Sequence, residues 1–361
     1  MRILVAQTSF LGDVVLSTPV CAAVKRCRPG AHVTMWVRPD TAGILTDHPH
    51  VDAVVVDDKR SRARGFGSLR TLRRLRAGQF DLVLALHKSF RTAWLLAAAG
   101  VPRRIGFRQS AGWFLYHRRV DRDATRHDVE RNLSILAGLD IDPATVVSRP
   151  LVAYSADALD RLYAALTAHG VALNAPLVAV APGSAWATKR WTVDGYGALL
   201  RGLGAQLGAT PLLLGAPGDA EYATAVHHAA GGVGVNLVGQ TDLGMLVAAI
   251  DRSLVLVTND SAPMHLAVAR GTPVVAIFGP TTPAQGYGPY TDRALVVERE
   301  LPCRPCSRHG GARCPIGTHA CMKEIGVHDV QAAVTALLAR CAAAASIDAT
   351  TAARRAGSDH G

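Results

Sequence analysis

The chain has 361 residues, of which 49% are hydrophobic and 19% charged, a composition that excludes an intrinsically disordered protein and, at this length, predicts two domains. Aromatic residues make up only 5% of the chain, which argues against a carbohydrate-binding module built on stacked rings. The net charge of +11 and the sequence pI of about 9.7 favour anionic partners such as nucleic acid, an acidic membrane surface or phosphorylated substrates.

The positive charge is concentrated in one segment. Between residues 59 and 76 there is no acidic residue, and the basic residues are Lys59, Arg60, Arg62, Arg64, Arg70, Arg73, Arg74 and Arg76. This cluster is either a solvated face or a surface for anionic lipid or phosphorylated sugar, and the sequence leaves both interpretations open.

The sequence contains no apolar run of the about 20 residues that a transmembrane helix needs. Its N-terminus also lacks the apolar core and cleavage site of a signal peptide. We therefore expect a cytoplasmic protein, in which the seven cysteines argue against a disulfide framework.

Short β-branched runs alternate with amphipathic segments along the first half, a pattern typical of parallel strands joined by helices. The predicted strands are 3–6, 32–37, 53–56, 82–86 and 104–107, and the predicted helices are 14–28, 68–76, 90–99 and 127–137. Pro19 lies inside the first helix and is expected to kink it or to delay its regular part.

The same alternation restarts in the second half. The predicted strands are 177–181, 211–214, 254–257 and 274–278, and the predicted helices are 194–207, 219–230, 243–251 and 262–269. We predict an α/β protein with two Rossmann-like doubly wound domains that face each other across a cleft, residues 1–153 and 175–341, with a linker region at 154–174. The small, repetitive tail at 342–361 is predicted to be disordered.

The first candidate site directly follows the first strand, where residues 8–13 read T-S-F-L-G-D. Gly12 permits a tight turn into the helix, and Asp13 then stands at the helix N-terminus. An ordinary capping aspartate is the simpler interpretation, and a general base that accepts a proton from a substrate hydroxyl is the functional one. The loop lacks G-x-G-x-x-G, which argues against a dehydrogenase.

The second candidate site follows another predicted strand, where residues 181–191 read A-P-G-S-A-W-A-T-K-R-W. Small residues let backbone N–H groups approach a phosphate, and Ser184 adds a hydroxyl donor. Lys189 supplies a compact positive charge that could hold a diphosphate without a metal. A strand-to-helix loop with a surface Lys-Arg pair is the alternative.

The third candidate site is V-T-N-D-S-A-P-M-H at 257–265, again at the carboxyl end of a strand. Asp260 and Ser261 before Pro263 mark a helix N-terminus, whose free N–H groups favour an anion. Asp260 could accept hydrogen bonds from sugar hydroxyls, whereas Ser261 could be a simple cap and His265 a packing residue. The next strand ends in F-G-P-T-T-P, so three small-residue loops are expected to converge at one sheet edge.

Four cysteines with the spacing C-x2-C-x7-C-x6-C, namely Cys303, Cys306, Cys314 and Cys321, lie in a Gly/Pro-rich loop. The pattern is similar to a structural zinc knuckle, although only one C-x-x-C pair is present. A loop of reduced thiols is the alternative.

These motifs resemble glycosyltransferase family 9, the ADP-heptose:lipopolysaccharide heptosyltransferases. The resemblance is carried by G-D-V-V-L-S-T-P, P-G-S-A-W-A-T-K-R-W and T-N-D-S-A-P-M-H-L-A with the following F-G-P-T-T-P, and it spans residues 1 to about 338. Within the family, the motifs are most similar to those of heptosyltransferase II.

The resemblance implies a GT-B fold and an inverting transfer that needs no catalytic metal. The N-terminal domain would bind the lipopolysaccharide inner-core acceptor, and the C-terminal domain would bind ADP-heptose. Contact with the cytoplasmic face of the inner membrane would be peripheral.

The resemblance also assigns roles to individual residues. Asp13 would take the proton of the acceptor hydroxyl, and Asp260 would orient the donor heptose. The diphosphate would be held by Ser184, Lys189, Ser261 and His265. The acceptor would be bound by Ser9, Arg91 and Arg108, with the two arginines at its phosphates. The segment L-G-A-P-G-D at 214–219 departs from the family pattern for the nucleotide carboxylate, which leaves Asp219 and Glu221 as the candidates.

Three other functions were weighed against the sequence. The first is a related transferase that uses another nucleotide sugar or acceptor, since the fold does not fix the substrate. The second is a non-enzymatic binder of anionic polymers; against nucleic acid, there is no interleaving of aromatic and basic residues and no known motif. The third, an NAD-dependent oxidoreductase, lacks its glycine fingerprint.

Overall fold

The computed structural model describes residues 1–57, 66–146 and 149–358. It divides into two compact units, the first made of 1–161, 242–248 and 284–290, and the second of 162–241, 249–283 and the residues from Thr291 on. Four members of the basic cluster, Lys59, Arg60, Arg62 and Arg64, lie outside the described residues. Within the described ranges, no helix is both long and apolar enough to cross a membrane.

The first unit is built on a parallel six-stranded sheet. Its elements in chain order are β1 (Arg2–Ala6), α1 (Leu11–Cys27), β2 (His32–Val37), β3 (Ala53–Val56), α2 (Phe66–Ala77), β4 (Leu82–Ala85), α3 (Phe90–Ala98), β5 (Arg103–Phe107), β6 (Arg118–Val120) and α4 (Asp128–Leu133). The strands lie in the order β3-β2-β1-β4-β5-β6. Strand residues such as Leu4 and Val83 are fully buried against Leu95 and Leu96 of α3.

The second unit repeats this design after α5 (Ala156–Ala168), with a second parallel six-stranded sheet. The elements after α5 are β7 (Leu177–Ala181), α6 (Val193–Leu207), β8 (Thr210–Leu213), α7 (Ala220–Ala229), β9 (Val235–Asn236), α8 (Leu243–Asp251), β10 (Ser253–Asn259), α9 (Ala262–Arg270), β11 (Val274–Phe278), β12 (Ala294–Glu298), α10 (Ala320–Lys323) and α11 (Val327–Ser358). Most of α8 belongs to the first unit. The strands lie in the order β12-β11-β10-β7-β8-β9.

Both sheets have the same topology once their strands are counted from the first strand of each. In each unit the first strand lies in the middle of the sheet. The second and third strands lie on one side of it, and the fourth, fifth and sixth strands lie on the other side. The order reverses between β1 and β4 in the first sheet and between β7 and β10 in the second. Ligands of doubly wound sheets bind at this switch point, beyond the carboxyl ends of the strands.

Helix α1 begins three residues earlier than predicted, so Pro19 lies well inside it. Proline has no N–H to donate to the carbonyl of residue 15. The hydroxyl of Thr18 donates to that carbonyl at 2.8 Å instead, and Ser17 donates to the carbonyl of Val14 at 2.7 Å. Because these two hydroxyls satisfy the backbone locally, the helix continues through the proline.

The structure contains helical residues in the predicted linker region and in the predicted tail. The segment 154–174, predicted as a linker region, contains α5. The tail at 342–361, predicted to be disordered, is helical as far as Ser358 as part of α11. Alanine has the highest helix propensity, and the Ala-rich composition that indicated low complexity also favours continuation of a helix.

Candidate active-site residues

Asp13 lies in the first turn of α1, at the carboxyl edge of the first sheet. Its Oδ2 accepts a hydrogen bond from the backbone N–H of Phe10 at 3.2 Å. The pKa of Asp13 is raised to about 6, first by burial and then by the charge of Asp128, against the opposing effects of the Phe10 N–H, Arg122 and Lys88. Such a carboxylate is ionised at neutral pH yet more basic than an ordinary aspartate, which suits a general base.

Asp128, the first residue of α4, is the acidic neighbour of Asp13 and is almost completely buried. Its Oδ1 pairs with the guanidinium of Arg122, and Nη1 of Arg131 lies 3.6 Å from the same oxygen. Asn132 donates to the other carboxylate oxygen at 3.1 Å and to the carbonyl of Leu16 in α1 at 3.2 Å. The buried charge of Asp128 is thus paired with an arginine, and Asn132 connects it to α1, the helix that carries Asp13.

The short segment 284–290 supplies a further neighbour. The Gly286 carbonyl accepts the Asp128 N–H at 2.8 Å, and a Cβ at Gly286, whose φ is +91°, would lie 2.5 Å from Nη2 of Arg131. This close approach places Tyr287 where burial, and then the charges of Asp128 and Asp13, raise its pKa. Sequence reasoning missed Asp128, Arg122 and Tyr287, because no local motif marks them.

The predicted acceptor-binding residues Ser9, Arg91 and Arg108 all lie in the first unit. Ser9 is half-buried in the loop that leads to Asp13. Arg91 forms a two-pronged ion pair with the buried Asp57, at 2.8 and 2.9 Å. Arg108 is exposed, and its Nε lies 3.4 Å from Oδ2 of Asp121. Arg91 is therefore anchored to the protein, whereas the guanidinium of Arg108 faces solvent.

In the second unit, Lys189 and Asp260 come together from loops 71 residues apart. Nζ of Lys189 donates to Oδ2 of Asp260 at 2.6 Å, and the hydroxyl of Thr281 donates to the same oxygen at 2.7 Å. The loops that follow β7, β10 and β11 therefore meet at one carboxylate. Since an ammonium carries three N–H donors, Lys189 can hold Asp260 and a phosphate oxygen together.

Asn259, the last residue of β10, fixes the shape of the loop that carries Ser184 and Lys189. Its side chain donates to the carbonyl of Pro182 at 2.7 Å, and its oxygen accepts from the Trp191 N–H at 3.1 Å and the Tyr196 hydroxyl at 3.0 Å. The asparagine therefore contacts the loop at both ends. Asn259 belongs to the motif at 257–265, but the motif alone does not indicate this role.

The predicted anion site at α9 has the expected local structure. Ser261 is the N-cap residue, and its side chain makes no capping hydrogen bond to the helix; its hydroxyl lies 3.2 Å from Oγ1 of Thr258. Backbone N–H groups of the first turn can therefore face an anion. His265 is buried one turn further along α9, and Ser184 is buried in the loop after β7.

Of the two candidates for nucleotide binding, only Asp219 lies beside these loops. Oδ1 of Asp219 is 3.3 Å from Nη2 of Arg190, and a Cβ at Gly183 would lie 2.5 Å from both of its carboxylate oxygens. Glycine is therefore required at position 183 for this close approach. Glu221 is exposed on α7.

The cysteine-containing segment contacts the Lys189 loop. Thr188 and Gly311 exchange hydrogen bonds, with the Gly311 N–H donating to the threonine hydroxyl at 2.8 Å and the Thr188 N–H donating to the Gly311 carbonyl at 3.1 Å. Nε2 of His319 lies 2.7 Å from the Thr188 carbonyl oxygen. The segment thus braces the residue next to Lys189, a role that the sequence did not indicate.

The zinc site expected at Cys303, Cys306, Cys314 and Cys321 gains no support. In the part of the chain that the structure describes, no group of three or more His, Cys, Asp or Glu side chains is arranged to hold a metal ion. The four thiols do not form such a group, although they share one segment, because spacing along the chain does not determine how the sulfur atoms are oriented.

Residues 68–314, which include most of the residues described above, match the sequence model of glycosyltransferase family 9 (heptosyltransferase). The chain belongs to this family. It is therefore a glycosyltransferase, as the motifs predict. The chain is 28% identical over 283 residues to lipopolysaccharide heptosyltransferase 3 of Escherichia coli. The aligned region covers 75% of this chain and 82% of that relative.

Solved structures of family members have the same fold. A family 9 glycosyl transferase from Veillonella parvula DSM 2008 superposes with a TM-score of 0.82 at 25% identity, covering 94% of this chain and 97% of that chain. The E. coli ADP-heptose lipopolysaccharide heptosyltransferase II superposes with a TM-score of 0.78 at 23% identity, covering 94% and 99%. The predicted GT-B type of fold, with two doubly wound domains, is confirmed.

The particular similarity to heptosyltransferase II stays a prediction. The curated relative is a type 3 enzyme, and the second solved structure is a type II enzyme. The family is thus shown, whereas the type within it is not distinguished.

Proposed function

We propose that this protein transfers heptose from ADP-heptose to the inner-core heptose/Kdo region of lipopolysaccharide, with inversion at the anomeric carbon and without a catalytic metal. The observation that carries this proposal is Asp13, a carboxylate with a pKa of about 6 at the switch point of the first sheet. Lys189, at the switch point of the second sheet, supports it from the donor side.

The proposed reaction is a direct displacement. The acceptor hydroxyl oxygen attacks the anomeric carbon of the heptose, and its proton passes to a carboxylate oxygen of Asp13. The bond between the anomeric carbon and the diphosphate oxygen breaks, and ADP leaves with the electron pair. Asp13 suits this role because it is ionised at neutral pH and basic enough to take up the proton as the new bond forms.

Charge that develops on the departing diphosphate needs donors that are already in position. Lys189, Ser184 and the N-terminus of α9 at Ser261 would supply them, so no metal ion is required to neutralise the leaving group. Asp260 would orient the donor heptose through its hydroxyls, and His265 lies on the same helix. Asp219 is the candidate for contact with the nucleotide.

On the acceptor side, Ser9, Arg91 and Arg108 stay the proposed contacts, with the two arginines at the acceptor phosphates. Arg108 is the most accessible of the three, because its guanidinium is largely exposed. The acceptor is anchored in lipid, so we place the enzyme in the cytoplasm, in peripheral contact with the inner membrane.

The test is ADP release from ADP-heptose in the presence of a heptosylated, phosphorylated Kdo–lipid A acceptor and a chelator, for wild type and Asp13→Asn. We expect release that depends on the acceptor, survives the chelator and falls sharply in the variant. Asp160→Asn, the same change at an exposed position of α5, is the matched control and should retain wild-type activity.

Other outcomes would separate the parts of the proposal. Turnover of GDP- or UDP-sugars but not of ADP-heptose would reject the donor. Activity that is abolished by the chelator and restored by a divalent cation would reject the metal-independent mechanism. An unaffected Asp13→Asn variant would reject the base.

A further inference from the structure

Four exposed aromatic side chains lie together on the first unit. Phe90 is 51% exposed, Trp94 46%, Trp113 47% and Phe114 55%; these four residues are called the aromatic patch below. Among the described residues, the other exposed Phe and Trp side chains are Phe10, at 64%, and Trp186, at 40%. In a chain with 5% aromatic residues, such a grouping on the surface is unlike a random scatter of apolar residues.

The patch is built on a rigid base. Phe90 and Trp94 are one turn apart on α3, and the ring centroids of Phe90 and Phe114 are 6.3 Å apart. Trp113 and Phe114 belong to a short turn that packs on α3 so closely that a Cβ at Gly112 would lie 2.4 Å from the Cβ of Ala93. The aromatic rings are therefore held outward by the backbone beneath them.

The segment that carries the patch is rich in basic residues, although three of its arginines are paired with acids of the same unit: Arg91 with Asp57, Arg108 with Asp121 and Arg118 with Asp140. From residue 66 to residue 120 the only acidic residue is Asp81, and the basic residues are Arg70, Arg73, Arg74, Arg76, Lys88, Arg91, Arg103, Arg104, Arg108, Arg118 and Arg119. Asp81 precedes β4 and accepts a hydrogen bond from the N–H of Arg2, so it lies at the opposite edge of the sheet. The guanidinium of Arg119 stacks on Trp113, 4.9 Å from the ring centroid.

Hydrogen bonds connect the patch to the loop that carries Asp13. Ser89 caps α3 by accepting the Thr92 N–H at 3.2 Å. Nδ1 of His87 lies 2.9 Å from the Thr92 hydroxyl and 2.8 Å from the hydroxyl of Thr8, in the loop after β1. The aromatic patch and Asp13 are therefore features of the same edge of the first sheet.

We propose that the aromatic patch is a docking surface for an anionic lipid bilayer, with Phe90, Trp94, Trp113 and Phe114 at the level of the headgroups and the surrounding arginines on the lipid phosphates. Tryptophan prefers this interfacial level, phenylalanine adds apolar area that can be buried there, and basic residues add attraction to anionic lipid. The excess of basic residues along this segment favours an anionic lipid surface as the occupant. The inference deepens the proposed function, because an enzyme docked at this edge holds its base beside a lipid-anchored acceptor.

The experiment uses the full chain and vesicles of phosphatidylethanolamine with phosphatidylglycerol, compared with vesicles of phosphatidylcholine alone. Wild type should bind the anionic vesicles, bind less as salt is raised, and show a blue shift of tryptophan fluorescence on binding. Trp94→Ser/Trp113→Ser should weaken binding by about tenfold or more, since interfacial affinity scales with buried apolar area. Arg119→Gln should weaken it by about fivefold.

The matched control is Leu173→Ser, which removes an equally exposed apolar side chain from the second unit. It should bind vesicles as wild type does. Thermal unfolding of every variant confirms that the folded state is retained, which is expected because the substituted side chains are exposed.

Three results would overturn the proposal. Vesicle binding that is unchanged in the double tryptophan variant would place the contact elsewhere. A wild type that is dimeric and a double variant that is monomeric would show that a second copy covers the patch. If the double tryptophan variant lost as much turnover with a deacylated, water-soluble acceptor as with the lipid-linked acceptor, the patch would be assigned to sugar binding.

The same experiment distinguishes this proposal from the proposed function. Vesicle binding does not require turnover, so it can succeed even if ADP-heptose is not the donor. Conversely, Asp13→Asn should lose turnover and bind vesicles as wild type does.

Discussion

Asp13 and Asp260 both lie at the switch point of their sheet, Asp13 after the first strand of its unit and Asp260 after the fourth strand of its own. Each lies just beyond the carboxyl end of a central strand, β1 or β10, at the switch point of its sheet and at or beside a helix N-terminus. Their neighbours differ. Asp260 accepts from Lys189 and Thr281, whereas Asp13 accepts from the Phe10 N–H and lies near a second carboxylate.

The sheet topology therefore determines where a carboxylate lies, and its neighbouring residues determine what chemistry it can perform. Asp260 is bonded directly to the ammonium of Lys189 and so holds that cation in place. The pKa of Asp13 is raised, first by burial and then by the charge of Asp128, which makes Asp13 the better proton acceptor. The first unit thus provides a base, and the second provides a held cation.

Replacing the base should have the largest effect. Asp13→Asn should lower the rate of transfer by about 10²- to 10⁴-fold, the usual contribution of a general base. The pKa of Asp13 is raised from 3.8 to about 6 in the folded state, so folding binds its proton and ionisation destabilises the fold. The destabilisation begins as pH rises above 3.8 and is complete above about 6.

The asparagine variant should therefore be less active and yet more heat-stable than wild type at pH 8. This gain in Tm should disappear toward pH 4, where wild-type Asp13 is protonated in both states. Scanning calorimetry at the two pH values measures it. A variant that is less stable than wild type at pH 8 would show that the carboxylate is a structural cap instead.

Replacing Lys189, the cation held by Asp260, should have the next largest effect on the rate of transfer. Lys189→Gln should lower the rate by about 10²- to 10³-fold, the range found when a donor to a developing oxyanion is removed. It also leaves Asp260 without its ammonium, which costs about 3–5 kcal/mol of stability for a buried pair.

The double variant Lys189→Gln/Asp260→Asn separates these two effects. Replacing both partners should restore much of the thermal stability, because no unpaired charge remains, but not the activity. If the double variant regained activity, Lys189 would be a structural counter-ion and not a contact of the diphosphate.

A smaller effect is expected at the brace between the cysteine-containing segment and the donor loop. Thr188→Val removes the hydroxyl that accepts the Gly311 N–H, which leaves a partly buried donor unpaired and costs about 1–3 kcal/mol. We expect a lower Tm and a several-fold rise in KM for the donor, with KM for the acceptor unchanged. A change in KM for the acceptor alone, measured by steady-state kinetics, would contradict this assignment.

The subtlest test concerns the acidic neighbour of the base. Asp128→Asn removes a negative charge that raises the pKa of Asp13 and leaves Arg122, which lowers it. The acidic limb of the pH–rate profile should therefore move to lower pH. A limb that stays in place would mean that burial alone sets the basicity of Asp13.

Much of the fold could be predicted from local sequence. Strands such as β1 and β7 are continuous apolar runs followed by small-residue loops, so their position and the loops that carry Asp13 and Lys189 could be read directly. Short or weakly patterned elements were missed, among them the two-residue strand β9 and the three-residue strand β6. Their pairing depends on the rest of the sheet.

The neighbours of each site residue were beyond reach for a physical reason. Asp128 and Tyr287 meet Asp13 only through long-range packing, and Asp57 meets Arg91 only because β3 ends near the start of α3. A single sequence shows which residues could do chemistry. It does not show which charges lie beside them, and those charges decide between a base, an ion pair and a cap.

The most direct test of the account is the pH dependence of kcat/KM for transfer by the wild-type enzyme, measured from about pH 4.5 to pH 9. We expect kcat/KM to rise with pH and to level off above an apparent pKa near 6, the pKa of Asp13 in the enzyme without substrate. The residual rate of Asp13→Asn should lack this limb. A wild-type profile that is flat between pH 5 and pH 8, or a limb that persists in Asp13→Asn, would contradict the central claim that Asp13 is the base.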